Sequence, residues 1–270
     1  GPPTIFRLNE VEEGRGTPAP DSVCWSGSTI YYLGQDGFYA FTGQGSRPIG
    51  AEKIDRWFFE TADENSVRFV RGVVDRRNRM VIWSFRSSST LDYNDYLLIY
   101  NWAADKWSYC QVDTEVISEY LTTDFNLDQL DTPLPNGIDT DSIPVDSEAF
   151  RGGRVSMAAF DTSHKMGTFN GSSLNAELET KEIADPSGNT LVLTGVRPLV
   201  DGASATVTVQ SGTRTNQNEN YQYGLSQAQN TLGKMSFRNK ARYHRIRVNT
   251  TGEFNDAFGV DIDVSLGGKR

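Results

Sequence analysis

The chain has 270 residues, 37% of them apolar and 11% aromatic, enough to bury one large or two modest cores, which excludes a wholly disordered polypeptide. Thirty-five acidic residues against 26 basic ones leave a net charge of −9, which argues against whole-chain attraction to nucleic acid or anionic membrane and confines any such contact to local patches. No apolar run approaches the roughly 20 residues of a membrane helix, so a soluble protein without membrane insertion is expected.

Gly1-Pro2-Pro3 carries neither an initiator methionine nor a charged-then-apolar leader, so the chain is expected to begin in mid-protein. The first module reads as strands by period-two alternation. Val23–Leu33, the turn Gly34-Gln35-Asp36-Gly37 and Phe38–Phe41 form one hairpin. Val67–Val74, the polar turn Asp75–Asn78 and Arg79–Phe85 form a second. Tyr96–Tyr100 and Trp107–Val112 pair across Asn101–Lys106, and Lys53–Glu60 is a short helix. The aromatic strand ends at Phe38–Gly43 and Leu98–Trp102 lie 60 positions apart and are loosely alike. Four-stranded units recurring at about 40 to 50 residues with fixed aromatic positions are the sequence pattern of β-propeller blades. Two blades cannot close a ring, so the reading is a partial propeller, completed by blades upstream of Gly1 or by partners, or else a small open sheet or sandwich.

Residues 111–150 carry ten acidic and no basic groups, with Pro133, Pro135, Pro144 and Gly137, a composition unsuited to a regular element. Residues 113–150 are therefore read as an acidic connector between a blade module at 1–112 and a second module at 151–270. The second module offers seven short strands: Val155–Phe160, Lys165–Phe169, Leu174–Glu182, Thr190–Val196, Ala205–Gln210, Arg242–Thr250 and Val260–Leu266. Their spacing predicts a β-sandwich, with Leu225–Leu232 a weak second helix. The fold class is thus all-β.

Chemistry is scarce. Cys24 and Cys110 are 86 positions apart, which fits no metal spacing and reads as two reduced thiols. His164 and His244 fall on strands or their turns, and structural or surface roles are expected. Asp161-Thr162-Ser163-His164 holds triad residue types, but neighbours on an extended chain point to opposite faces. Asp124, Asn126 and Asp128 copy the start of a calcium loop, yet Gln129 and Pro135 stand where glycine and glutamate are required. Gly43-Gln44-Gly45-Ser46 lacks the lysine and helix of a phosphate loop. Trp57, Trp83, Trp102 and Trp107 could stack on sugars, though core packing explains them more simply. No cofactor or metal is called for.

The densest basic run is Lys234, Arg238, Lys240, Arg242, Arg245 and Arg247. On a strand Tyr243, Arg245 and Arg247 share one face, and Arg242, His244, Ile246 and Val248 the other. Such an array meets solvent, the acidic connector of a neighbouring subunit, or phosphates.

Several runs, in order, resemble a known family: Gly14–Pro20, Tyr32–Tyr39, Pro48-Ile49-Gly50, Lys53–Phe59, Leu98–Trp102, Asp146-Ser147, Gly152-Gly153, Ala158–Asp161, Gly195–Val200, Arg242–Val248 and Gly267–Arg270. Together they resemble the C-terminal part of the tail nozzle, or packaged-DNA stabilisation, proteins of short-tailed, podovirus-type bacteriophages. The resemblance implies a propeller-bearing structural subunit, six per virion in a homo-oligomeric ring. Such a subunit extends the portal and adaptor channel, retains packaged double-stranded DNA and conducts it on ejection. It implies a place in the virion tail, reached from the host cytoplasm during assembly, and no enzymatic activity. Family members typically carry further blades before the segment that starts here. Arg197 and the Arg242–Arg247 strand lie in family-like runs and, with Lys234, Arg238 and Lys240, are the candidate interface or DNA-facing residues. Two other readings stand beside this one: a carbohydrate- or receptor-binding β-module, and a glycosidase.

Overall fold

The computed structural model describes residues 11–121, 155–169, 172–202, 204–254 and 256–268, which divide into two compact units at Phe169/Asn170. All its sheets are antiparallel and the chain is all-β.

The first unit opens with a meander of four strands in sequence order, β1 (Cys24–Ser26), β2 (Thr29–Leu33), β3 (Phe38–Phe41) and β4 (Ser46–Pro48). The helix α1 (Asp55–Thr61) follows. A second four-stranded meander comprises β5 (Arg71–Asp75), β6 (Met80–Phe85), β7 (Asn94–Asn101) and β8 (Lys106–Thr114). The two similar aromatic strand ends thus belong to β3 and β7, the third strand of each meander. Asp75 stops the β5–β6 turn by accepting the backbone N–H groups of Arg77 and Asn78 at 3.0 and 3.1 Å, and Asn101 does the same for Ala103 and Ala104 between β7 and β8.

The sheets stack face to face. Tyr31, Leu33, Phe38 and Ala40 of the first meander, with Phe58 of α1, meet Val74, Val81, Trp83, Phe85, Leu98 and Tyr100 of the second. The other face of the second meander, at Val73, Ile82 and Leu97, meets Ile117 and Ala159. Those two belong to a third sheet of β9 (Val116–Leu121), β10 (Val155–Phe160) and β11 (Met166–Thr168). Strand β6 is therefore buried on both faces, which explains its almost uninterrupted apolar run. Each large apolar side chain so buried contributes about 1.5–3 kcal/mol of gross transfer energy.

The second unit is a sandwich. One sheet has the order β12 (Ala176–Glu179), β19 (Tyr243–Thr251), β15 (Thr206–Arg214), β16 (Gln222–Tyr223), with β13 (Ile183–Ala184) on β19 and β17 (Gln227–Ala228) on β15. The other has the order β18 (Met235–Ala241), β14 (Leu191–Asp201), β20 (Asp256–Leu266). Leu193, Val196, Met235 and Phe237 from the second sheet pack on Val207, Val209, Ile246 and Val248 from the first.

Several boundaries differ from the sequence reading. Strand β9 pairs directly with β10, from Val116↔Phe160 to Leu121↔Val155. The acidic stretch thus intervenes between two paired strands of one unit, rather than linking two modules, and Val155–Thr168 falls in the first unit. The expected connector 113–150 opens within β8 and includes β9; residues 122–154 lie outside the described residues. Val67–Val74 begins as the 3-10 turn Glu64–Phe69 before β5. Leu174–Glu182 yields only the short strand Ala176–Glu179, and a second, Ile183–Ala184, begins just past the expected range. Leu225–Leu232 is not helical: Leu225 and Leu232 are 90% and 77% exposed, and Gln227 and Ala228 pair with β15. No described helix is long and apolar enough to cross a membrane.

Candidate functional site: the charged faces of the second unit

Strand β19 alternates as expected, with His244, Ile246 and Val248 facing the core and Tyr243, Arg245 and Arg247 facing out. Arg242 lies in the bend between β18 and β19, where the chain passes from one sheet to the other. That crossing divides the basic run. Arg245 and Arg247 stand on the outer face of the larger sheet. Arg238 and Lys240 alternate outward on β18 with Ser236, while Met235, Phe237 and Ala241 point into the core. Arg197 is exposed on β14, opposite Asp261 of β20. The seven candidates therefore do not form one patch.

On the larger sheet the cations are already matched. Strand β12 runs antiparallel to β19 in the register Glu177↔Asn249 and Glu179↔Arg247. Glu179 accepts from Arg245 at 2.8 Å, from Arg247 at 3.0 Å and from the Tyr223 hydroxyl at 2.6 Å. Glu177 pairs with Arg247 at 3.2 Å. Glu182 accepts the Tyr221 hydroxyl at 2.6 Å and Arg214 Nε at 3.0 Å. The guanidinium groups also stack on rings, Arg247 lying 4.0 Å over Tyr223 and Arg245 4.6 Å over Tyr221. Desolvation opposes ionisation of Glu179, but the bonds from Tyr223, Arg245 and Arg247 outweigh it and hold the carboxyl below its usual range. Glu182 is lowered chiefly by its bond from Tyr221, with Arg214 adding to it against partial desolvation. A phosphate meeting this face would have to displace fixed carboxylates.

The sequence reading missed Glu177, Glu179, Glu182, Arg214, Tyr221 and Tyr223. A signal was present: Glu177/Glu179, Arg245/Arg247 and Tyr221/Tyr223 are each two residues apart, the spacing that places both members on one face of a strand.

The smaller sheet differs. Lys234 reaches across Gly195 of β14 to pair with Asp263 of β20, and a Cβ on Gly195 would collide with the lysine stem. Among the described residues no carboxylate pairs with Arg197, Arg238 or Lys240.

The remaining candidates resolve singly. Trp83 is wholly buried and its indole N–H donates to the Ser22 carbonyl at 2.9 Å; Trp107 donates to Ile49 at 3.0 Å. Trp57 stacks on Tyr109 and Trp102 on Tyr31. The openly exposed indole is Trp25, at 62%. It borders a groove of about 460 Å³ where β1, β5 and β9 come together, flanked by the ion pairs Arg71–Asp21 and Arg76–Glu119. His164 pairs with Glu115 at 2.8 Å rather than with its triad-like neighbours, and Asp161 instead accepts the N–H groups of Ser163 and Lys165. His244 is fully buried and its Nε2 lies 3.2 Å from the Leu191 carbonyl, as donor. Both cysteines are free, and burial pushes the Cys24 thiol up to about 12. Asp124, Asn126 and Asp128 lie outside the described residues. Among the described residues no group of three or more His, Cys, Asp or Glu side chains is placed to hold a metal ion. No protein-family model matches the chain, and no curated protein matches it in sequence.

Proposed function

We propose that the chain is a structural protein of a bacteriophage tail, a nozzle or tail-tube subunit that assembles as a ring around the path of packaged DNA. The observation that carries this reading is the arrangement of the first unit. Its three sheets stack face to face, and their first strands, β1, β5 and β9, gather at one groove. Blades around a propeller axis have the same relationship. The runs that resemble the tail family furnish this arrangement: Tyr32–Tyr39 makes the β2–β3 hairpin, Lys53–Phe59 leads into α1, and Leu98–Trp102 closes β7. Stacked antiparallel sheets make a stiff wall, and a closed ring of subunits hides sheet edges that would otherwise aggregate.

The net charge of −9 suits a conduit, since a surface that repels the duplex does not retard its passage. On this reading the protein transforms no substrate, and its partners are further copies, the portal and adaptor proteins and the DNA. The test is to label purified virions of the encoding phage with an antibody against the chain and image them by electron microscopy. Label at the tail tip, with ring-shaped particles from the purified chain, is the expected result; particles devoid of the chain overturn the proposal.

A further inference from the structure

The three-stranded sheet of the second unit ends in two unlike edges. Among the described strands, β18 is terminal on one side and β20 on the other. The β18 edge is basic, with Arg238 and Lys240 exposed two residues apart on the outer face. The β20 edge is acidic, with Asp261 and Asp263 exposed two residues apart on that same face and Asp256 at its start. Strand β20 also leaves Phe258 and Leu266 75% and 68% exposed, along an 11-residue edge that no other described strand pairs. A strand of that length with uncovered backbone groups is a template for another strand.

We infer that copies of this chain join by laying β20 of one against β18 of the next, so that the sheet continues from subunit to subunit. Complementarity selects the pair. Joining β18 to β18 or β20 to β20 sets like charges opposite one another, whereas β18 against β20 sets Arg238 and Lys240 against Asp261 and Asp263. The inner faces agree as well, because Val260, Ile262 and Val264 alternate with the aspartates as Met235, Phe237 and Ala241 do with the cations. Within one chain Lys234 and Asp263 already make such a contact across β14. Two different edges give a head-to-tail interface, which closes into a ring or runs on as a filament. The inference deepens the tail reading and borrows from it only the closed ring.

Two variants test it in the full chain: Arg238→Glu/Lys240→Glu makes both edges acidic, and Asp256→Lys/Asp261→Lys makes both basic. Mass photometry and sedimentation velocity would follow assembly at about 50 mM salt, where surface charge is weakly screened, with far-UV circular dichroism to verify folding. The wild type is expected to oligomerise, and each variant alone to need at least about tenfold more protein to do so. An equimolar mixture of the two is expected to recover the wild-type assembly, because each supplies the edge that the other lacks. If either variant fails to fold, Arg238→Ser/Lys240→Ser and Asp256→Ser/Asp261→Ser replace them, and each is then expected to weaken assembly by itself. Variants that assemble like the wild type, a mixture that stays monomeric, or a wild type monomeric up to about 100 μM, well above affinities of stable interfaces, overturn the edge pairing. Rings insensitive to these charges would overturn it while leaving the tail reading intact, and virions devoid of the chain would do the reverse.

Discussion

Asp55 accepts the backbone N–H of Phe38 through Oδ1 at 3.1 Å, tying the first turn of α1 to the start of β3. Its carboxylate lies between Gly37 and Gly50, where a Cβ on either glycine would overlap it. The glycines are thus required by space. Gly50→Ala is expected to destabilise the first unit by about 1–3 kcal/mol, the usual cost of overpacking a close contact. Adding Asp55→Ala should make the alanine at position 50 cheaper, a coupling that a double-mutant cycle in urea measures directly.

The same burial raises the Asp55 carboxyl from 3.8 to about 6. A folded-state pKa above the unfolded one contributes stability at low pH that is lost as pH rises through the folded value. The first unit is therefore expected to lose an Asp55-dependent share of its stability between about pH 4 and 6. Because the group is only half-buried, about 1 kcal/mol is a fair magnitude after solvent screening. Asp55→Asn should match the wild type near pH 4 and exceed it at pH 7. All five tryptophans lie in this unit, so tryptophan fluorescence during urea unfolding reports on it selectively.

His244 gives the second unit the opposite response. Its fully buried imidazole is held below its ordinary 6.5 by desolvation, against the bond to Leu191. Below about pH 6.5 the unfolded chain binds a proton that the folded chain refuses, so stability falls with pH. Between pH 7 and pH 5 intrinsic base-catalysed exchange slows, and the β19 amides should slow less than that, an excess of exchange that reports their falling protection. In His244→Gln that excess should vanish, with about 1–2 kcal/mol lost at pH 8 from packing.

Glu179 binds two arginines and a tyrosine at once, so its removal should cost more than that of an isolated surface acid. Glu179→Ala is expected to lower the stability of the second unit by about 1–2 kcal/mol, and Arg247→Ala by less, because Arg247 leaves Glu179 its other two donors. Denaturant unfolding of the single and double variants would reveal the coupling. Comparable losses for the exposed pair Arg56–Glu60 would mean that the network adds nothing beyond ordinary surface pairing.

Period-two alternation by itself determined that this is an all-β protein, and tight-turn residues placed its hairpins, because both signals act between neighbours along the chain. Thus β2–β3, β5–β6 and β7–β8 were readable from Gly37, Asp75 and Asn101. Alternation on β19 likewise separated His244 from Arg245. Tertiary structure alone decided what depends on distant partners. The β9–β10 pairing carried the first unit past the acidic stretch to Phe169, and no local pattern encodes a contact across so long a separation. The fate of the basic run turned on a single bend at Arg242, which sent Arg238 and Lys240 to one sheet and Arg245 and Arg247 to the other. Burial and charge pairing are properties of faces, and strands acquire their faces only when sheets assemble.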